Sequence, residues 1–118
     1  MTVLIVDDEP LLREVLSSFC ELRGLSVLTA GDGRYALNLF EEYQNEIEHV
    51  LLDYNMPAQT AEQIITAIRQ LNPKVNITLT SGYHKRPDVH QVVVTNKTNF
   101  LPKPFTLAQF EHAIQAMH

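Results

Sequence analysis

Five short segments rich in Val, Ile, Leu or Thr alternate along the chain with stretches that have the periodicity of amphipathic helices. The predicted strands are Thr2–Val6, Ser26–Ala30, His49–Leu52, Asn76–Thr80 and Asn99–Leu101. Parallel strands need a long crossover between them, and a helix is the usual crossover. The alternation therefore predicts an α/β fold, with βα units arranged around a mostly parallel sheet.

The stretches between the strands carry apolar residues three and four positions apart, as a helix with one buried face requires. The first stretch is bounded by Pro10, which suits the first turn of a helix, and by Gly24, which suits a C-terminal cap. The third stretch stops before Pro73. The apolar stripes of these three predicted helices are Leu12, Val15, Leu16 and Phe19; Ala36, Leu37 and Phe40; and Ile64, Ile65, Ile68 and Leu71.

Two more helices are predicted in the last third of the chain. The final one has Thr106 as its N-cap with Gln109 three residues later, which is a capping box. Its stripe runs to the chain end through Leu107, Phe110, Ile114 and Met117. The segment from Pro87 to Val94 is ambiguous, because three consecutive valines favour a strand whereas the alternation requires a helix. We predict a short helix there.

Size and charge narrow the classes of function. The chain has 118 residues, of which 45% are hydrophobic, so we predict a single domain over residues 1–118. A net charge of −5 disfavours direct binding to nucleic acid or to an anionic membrane surface. We expect no membrane span and a cytoplasmic protein, because the apolar stretches are much shorter than the roughly 20 residues that a bilayer requires. The single cysteine, Cys20, cannot form an internal disulfide.

Polar residues stand where four of the predicted strands end. The carboxyl ends of neighbouring parallel strands meet at one edge of a sheet, where α/β folds bind their ligands. The residues at these ends are Asp7 and Asp8, Asp53, Thr80 and Ser81, and Lys103. We therefore expect three carboxylates, a hydroxyl and a lysine to meet in one site.

This set of groups is suited to phosphoryl chemistry. Asp7, Asp8 and Asp53 would repel one another unless a proton or a cation lay between them, and oxygen ligands favour Mg²⁺. Asp53 stands alone at its strand end and is the candidate nucleophile toward phosphorus. Lys103 and the Thr80 hydroxyl would offset the negative charge of the phosphoryl oxygens.

In order and spacing, these residues resemble the signature of response-regulator receiver domains of two-component signalling. The resemblance rests on Asp7-Asp8, Asp53-Tyr54-Asn55-Met56-Pro57, Thr80 and Lys103-Pro104-Phe105, and it extends over essentially the whole chain. It implies a flavodoxin-like (βα)5 fold, with helices on both faces of a five-stranded parallel sheet of strand order 2-1-3-4-5. A receiver protein is itself a standard example of this strand order, so the order is carried over from the family.

The resemblance also implies roles for individual residues. Asp53 would accept a phosphoryl group in an Mg²⁺-dependent reaction. Asp8 and Asp53 would bind the metal directly, Asp7 mainly through water, and Asn55 through its backbone carbonyl. In the family the bond before the proline that follows the lysine is cis, which here is Lys103-Pro104.

A switch and a set of partners are implied in the same way. Phosphorylation would draw the Thr80 hydroxyl inward and change the rotamer of Phe100. The phosphoryl donor would be a histidine kinase or a histidine phosphotransfer protein. A downstream protein would read the face formed by the last helix, the fifth strand and the helix before it. A monomer and a phosphorylation-dependent homodimer both remain open, and no turnover of external substrates is expected.

Two other functions remain open from the sequence. An Asp-nucleophile phosphohydrolase uses similar chemistry, but such enzymes usually carry Asp-x-Asp at the first strand and a cap domain, whereas this strand ends in adjacent Asp7 and Asp8. The other possibility is a degenerate receiver that acts only as a protein-binding module, although every chemical position of the signature is filled.

Overall fold

The computed structural model describes residues 1–82 and 87–115, and it describes only the backbone of residues 87–90 and 96. Strands and helices alternate throughout. The strands are β1 (Thr2–Val6), β2 (Ser26–Ala30), β3 (Ile47–Asp53), β4 (Asn76–Ser81) and β5 (Asn99–Pro102). The helices are α1 (Pro10–Leu22), α2 (Gly33–Tyr43), α3 (Ala61–Leu71), α4 (Pro87–Asn96) and α5 (Leu107–Gln115).

All five strands are parallel and lie in the order β2-β1-β3-β4-β5, which confirms the predicted fold class and strand order. Three strands are longer than predicted: β3 by two residues at its start, and β3, β4 and β5 by one residue each at their ends. In register, Asp53 lies beside Thr80, and Ser81 lies beside Pro102. The ladder therefore extends into the polar residues at the carboxyl edge.

Successive strand residues face opposite sides of the sheet and build two apolar layers. Leu4, Val50 and Ile77 face the cluster that contains Phe40 of α2 and the isoleucines of α3. Val3, Ile5 and Leu51 face the other cluster, around Leu16 and Cys20 of α1 and Phe110 of α5. Burial, together with the charge of Glu21, raises the pKa of the Cys20 thiol to about 11. The sheet is thus covered by helices on both faces.

The helix boundaries follow the local signals in the sequence. Pro10 occupies the first turn of α1, and Gly24 follows that helix with a left-handed φ of 76°. The capping box of α5 is present, since Gln109 N donates to Thr106 Oγ1 at 3.1 Å and Thr106 N donates to Gln109 Oε1 at 2.8 Å. The predicted continuation of α5 to the chain end, including Met117, lies outside the described residues.

Three residues of the predicted stripes are exposed instead of buried. Val15 is 44% exposed, because the buried face of α1 is centred on Leu16 and Cys20 and leaves Val15 at its margin. Leu71 and Leu107 are the last residue of α3 and the first of α5, and they are 38% and 41% exposed. Amphipathic spacing identified these helices but did not fix the centre of each buried face.

The ambiguous valine-rich segment is helical, as the alternation of strands and helices predicted. α4 runs from Pro87 to Asn96, and Val92 is 4% exposed within the cluster that also contains Phe40. Val94, two residues later, is 64% exposed. Packing of one side against the sheet therefore outweighs the low helix propensity of the β-branched residues.

Candidate functional site

Three aspartates lie together at the carboxyl edge of the sheet. Carboxylate oxygens of Asp7, Asp8 and Asp53 are all within 4.8 Å of one another. Asp7 and Asp53 are 2% and 4% exposed, whereas Asp8 is exposed. The arrangement follows from topology, because β1 and β3 are neighbours and Val6 pairs with Leu52 just before the carboxylates. The sequence prediction that these residues share one edge is confirmed for the three aspartates.

The Lys103 ammonium group lies among these carboxylates. Its Nζ atom is 2.7 Å from Asp7 Oδ2, 3.4 Å from Asp53 Oδ2 and 3.3 Å from Glu9 Oε1. The Lys103 side chain is only 16% exposed. Its backbone N–H donates to the Ser81 carbonyl at 3.0 Å, and the Lys103-Pro104 peptide bond is cis. The end of β5 thus brings a cation to acids that lie at the ends of other strands.

Burial and charge have opposing effects on Asp53. Burial raises the pKa of the Asp53 carboxyl above its ordinary value, and the negative charge of Asp7 adds to this. The Asn55 N–H, which donates to Asp53 Oδ1 at 3.1 Å, and the charge of Lys103 only partly offset the increase. A second positive charge at this edge would therefore lower the cost of keeping Asp53 ionised.

The pKa of Lys103 is also raised. Burial by itself lowers it, but the hydrogen bond to Asp7 and the charges of Asp53 and Asp7 outweigh that effect. Lys103 is therefore a permanent cation at neutral pH. The cluster combines two buried carboxylates with one ammonium group, and it retains negative charge when all three groups are ionised.

The loop after Asp53 has an unusual backbone. Ala58 has a φ of 71°, and the Gln59 N–H donates to the Pro57 carbonyl at 2.8 Å, which closes a tight turn around Ala58. A non-glycine residue in the left-handed region is strained. The Asn55 side chain lies 3.4 Å from Ser81 Oγ and links the start of this loop to the end of β4.

Thr80 lies next to Asp53 in the strand register and is 1% exposed. Its Oγ1 atom is buried and has no hydrogen-bond partner within residues 1–82 and 87–115. A buried hydroxyl without a partner is costly, because the water it loses on burial is not replaced. The hydroxyl is thus available to a negatively charged group bound near Asp53.

The structure does not bring Phe100 into this cluster. Phe100 pairs with Leu79 and packs, half-buried, against the apolar layer that contains Val92. Thr80 is one residue along from Leu79 and therefore faces the opposite side of the sheet. Any link between Thr80 and Phe100 has to pass through β4 and β5.

Two charged residues of the site were not singled out from the sequence. Glu9 supplies the third carboxylate around Lys103, and Arg13 Nη1 donates to the Asp7 backbone carbonyl at 2.6 Å. Their signal was their position around the start of the helix that follows the two aspartates: Glu9 is the N-cap of α1, and Arg13 lies one turn into that helix. Such residues are ordinarily exposed, and only the tertiary structure shows that they contact Lys103 and the Asp7 carbonyl.

The donor set suits a hard divalent cation. Carboxylate oxygens from three residues converge, and the region is more negative than Lys103 can neutralise. Oxygen ligands of this kind, with an exposed side at Asp8 for water and substrate oxygens, fit Mg²⁺. No histidine or cysteine is part of the described acidic group, so the set does not resemble a zinc site.

Comparison with known proteins agrees with the geometry. The family model described as the response regulator receiver domain matches residues 3–115. The chain belongs to the response regulator receiver family. As a solved structure, the chemotaxis protein CheY4 of Vibrio cholerae superimposes on this receiver with a TM-score of 0.90, at 27% identity, over 99% of this chain and 98% of that one.

Curated relatives are longer proteins. The sensor kinase CckA of Brucella abortus is 31% identical over 98% of this receiver, which corresponds to 12% of CckA. The transcriptional regulatory protein CpxR of Escherichia coli is 30% identical over 98% of this receiver, which corresponds to 48% of CpxR. The chain thus spans half or less of the length of these relatives. No described helix of this receiver is both long enough and apolar enough to cross a membrane.

Proposed function

We propose that this receiver domain is a phosphorylation-dependent switch of a two-component phosphorelay, with Asp53 as the phosphoryl acceptor. The observation that carries the proposal is the buried Asp53 carboxylate, which lies in one cluster with two other aspartates and 3.4 Å from the Lys103 ammonium. Membership of the receiver family supports the assignment of class. The finer steps below rest on the chemistry of these side chains.

In the transfer, an oxygen of Asp53 attacks the phosphorus of a phosphohistidine on a histidine kinase or a phosphotransfer protein. A P–O bond forms as the P–N bond breaks, and the electron pair of the P–N bond remains on the imidazole nitrogen. Lys103 stabilises a phosphoryl oxygen, and the buried Thr80 hydroxyl donates to another. Asp53 is thus modified once and is restored by hydrolysis, without turnover of an external substrate.

Asp8 and Asp53 would hold Mg²⁺ directly, with the Asn55 carbonyl as a third protein ligand and Asp7 acting through water. Bound there, Mg²⁺ supplies positive charge to the oxygens of the group being transferred. Asp7 keeps Lys103 in place through the 2.7 Å contact. Asp53 is only 4% exposed, so few water molecules can reach its carboxylate.

The output is a change at the face formed by α4, β5 and α5. The phosphoryl group carries about −1.5 to −2 of charge in place of the single charge of the Asp53 carboxylate, and this charge reorients the Thr80 hydroxyl toward the phosphoryl group. Movement of Thr80 alters the packing of its strand against β5 and shifts Phe100 between exposed and buried rotamers. A downstream protein, or a second copy of the domain, then binds this face. We propose that residues 1–118 act as one domain in the cytoplasm, with no direct contact to nucleic acid.

The test is phosphorylation by a small phosphodonor such as acetyl phosphate with Mg²⁺, followed by intact mass measurement. We expect one phosphoryl group on the wild-type chain, and none when the metal is chelated or in Asp53→Asn. Serine at the exposed position 18 is a control acceptor, so Ser18→Ala should be labelled like wild type. Unchanged labelling of Asp53→Asn, or no labelling of the wild type, would contradict the proposal. Continuous phosphate release from a phosphomonoester would favour a phosphohydrolase instead.

A further inference from the structure

Arg13 is a second cation beside the acidic cluster, and neither the sequence pattern nor the proposed transfer gives it a role. It lies one turn into α1 and is half-buried. Its Nη1 atom donates to the backbone carbonyl of Asp7 at 2.6 Å. Among the described residues, the guanidinium group therefore binds the peptide that joins Asp7 to Asp8, and not a carboxylate.

The guanidinium group also lies against the backbone that follows β2. A Cβ atom on Gly31 would be 2.9 Å from Nη1, 3.3 Å from Cζ and 3.5 Å from Nη2 of Arg13. A side chain at position 31 would therefore displace the guanidinium group from this position. Arg13 of α1 thus lies close to the Gly31 backbone in the loop after β2.

Asp7 is consequently held from several sides. Its N–H donates to the Ala30 carbonyl at 3.1 Å, and its carbonyl accepts from Arg13. Its Oδ1 atom accepts from the Glu9 N–H at 2.9 Å, while Oδ2 contacts Lys103. The peptide plane between Asp7 and Asp8 is fixed by these contacts, and that plane sets the direction in which Asp8 leaves the strand.

We propose that Arg13 is a positioning residue for the cation site. It fixes the Asp7-Asp8 peptide. The exposed Asp8 carboxylate is therefore held close to Asp53 before the cation binds. The inference rests on the proposed function, because it concerns binding of a divalent cation by the same aspartates. Preorganised ligands bind more tightly, because less conformational freedom is lost on binding.

The sign of the effect separates positioning from simple electrostatics. A positive charge near a cation site weakens cation binding, so removing Arg13 as a charge should strengthen it. Loss of the support that Arg13 gives to Asp8 should instead weaken cation binding. Outer contacts that orient ligands typically contribute about tenfold or more in metal affinity, so loss of positioning should dominate.

The experiment is calorimetric titration of Mg²⁺ into the full chain, for wild type, Arg13→Gln and Arg13→Lys. Arg23→Gln is the matched control, because Arg23 is next to the same helix but pairs with Glu111 on α5 at 3.2 Å. We expect the Kd of Arg13→Gln to rise by about tenfold and that of Arg13→Lys to rise less, because lysine can still donate to the carbonyl but lacks the planar guanidinium group. Arg23→Gln should bind like wild type.

A Kd for Arg13→Gln that is unchanged or lower would overturn the proposal. If Arg13→Gln does not fold, Gly31→Ala displaces the same guanidinium group more mildly. This variant should also raise the Kd for Mg²⁺. Wild-type affinity in Gly31→Ala would count against a positioning role for Arg13. Wild-type chain that binds Mg²⁺ but is not phosphorylated would refute the proposed function alone. Wild-type chain that does not bind Mg²⁺ would refute both.

Discussion

The central strands carry two kinds of buried surface that differ in chemistry and in their effect on stability. Along the middle of the sheet, Leu4, Val50 and Ile77 are fully buried among other apolar side chains. At the carboxyl edge, a few residues away, Asp7 and Asp53 are almost as deeply buried but carry charge. Burial stabilises the fold in the first region and opposes ionisation in the second.

The difference indicates that the edge is arranged for binding at a cost in stability. Lys103 compensates the carboxylates only in part, since the pKa of Asp53 remains raised. The loop beside it contains a left-handed alanine, and a buried threonine hydroxyl lacks a partner in the described part of the chain. Strain and incomplete pairing that gather in one place are typical of functional sites. The apolar layers on both faces of the sheet stabilise the fold and so offset the cost of this strain and incomplete pairing.

Phe40→Ala should have the largest effect, because it removes one of the largest fully buried side chains of the apolar region. We expect a loss of about 3–5 kcal/mol in the free energy of unfolding, measured by urea denaturation. Tyr35→Ala, on the same helix but 52% exposed, should change it by less than about 0.5 kcal/mol. A similar loss in both variants would mean that helix α2 is not anchored by its buried face.

Lys103→Met should come next, because it leaves two buried carboxylates without their cation. We expect a loss of about 2–3 kcal/mol at neutral pH, below the range for completely buried pairs, since the lysine side chain is 16% exposed. Acid should reduce the loss as the carboxyl groups take up protons. Urea denaturation at neutral and acidic pH measures both effects, and a loss that does not depend on pH would point to packing of the lysine stem instead.

Asp53→Asn should have a smaller effect of opposite sign. Because the folded state raises the pKa of Asp53, its ionisation opposes folding above that pKa, and the amide avoids this. We expect a gain of about 1 kcal/mol at neutral pH in metal-free buffer. The gain is complete above the folded pKa, and it disappears as pH falls from the folded pKa to the lower unfolded pKa, where Asp53 is neutral in both states. Thermal unfolding at several pH values tests this, and a destabilised Asp53→Asn would show that the contacts with Asn55 and Lys103 outweigh the burial.

Ala58→Gly should give the smallest change. Glycine adopts a φ of 71° without the steric penalty of alanine, although its greater freedom in the unfolded chain offsets part of the gain. We expect stabilisation of roughly 0.5 kcal/mol by urea denaturation. The same substitution at Ala67, inside helix α3, should destabilise by about 1 kcal/mol. A change of the same sign in the free energy of unfolding of both variants would contradict strain at Ala58.

Much of the fold could be predicted from the sequence, because the signals for its helices are local. Apolar spacing, Pro10, Gly24 and the Thr106 capping box act within one or two helical turns. They identified four of the helices, whereas the helical state of the valine-rich α4 followed from its place in the βα alternation and against its local propensity. The exposure of Val15 could not be predicted in this way, because it depends on how α1 is rotated against the sheet.

For the site, the sequence determined which polar groups stand at the strand ends, because the apolar runs stop there. It also determined that Asp7, Asp8 and Asp53 share an edge, because parallel strands align their carboxyl ends. Only the tertiary structure decided that Lys103 contacts Glu9 as well as Asp7, that Phe100 faces away from Asp53, and that Arg13 folds back onto Gly31. These features involve residues far apart in the sequence, and they depend on side-chain directions that a linear pattern does not contain.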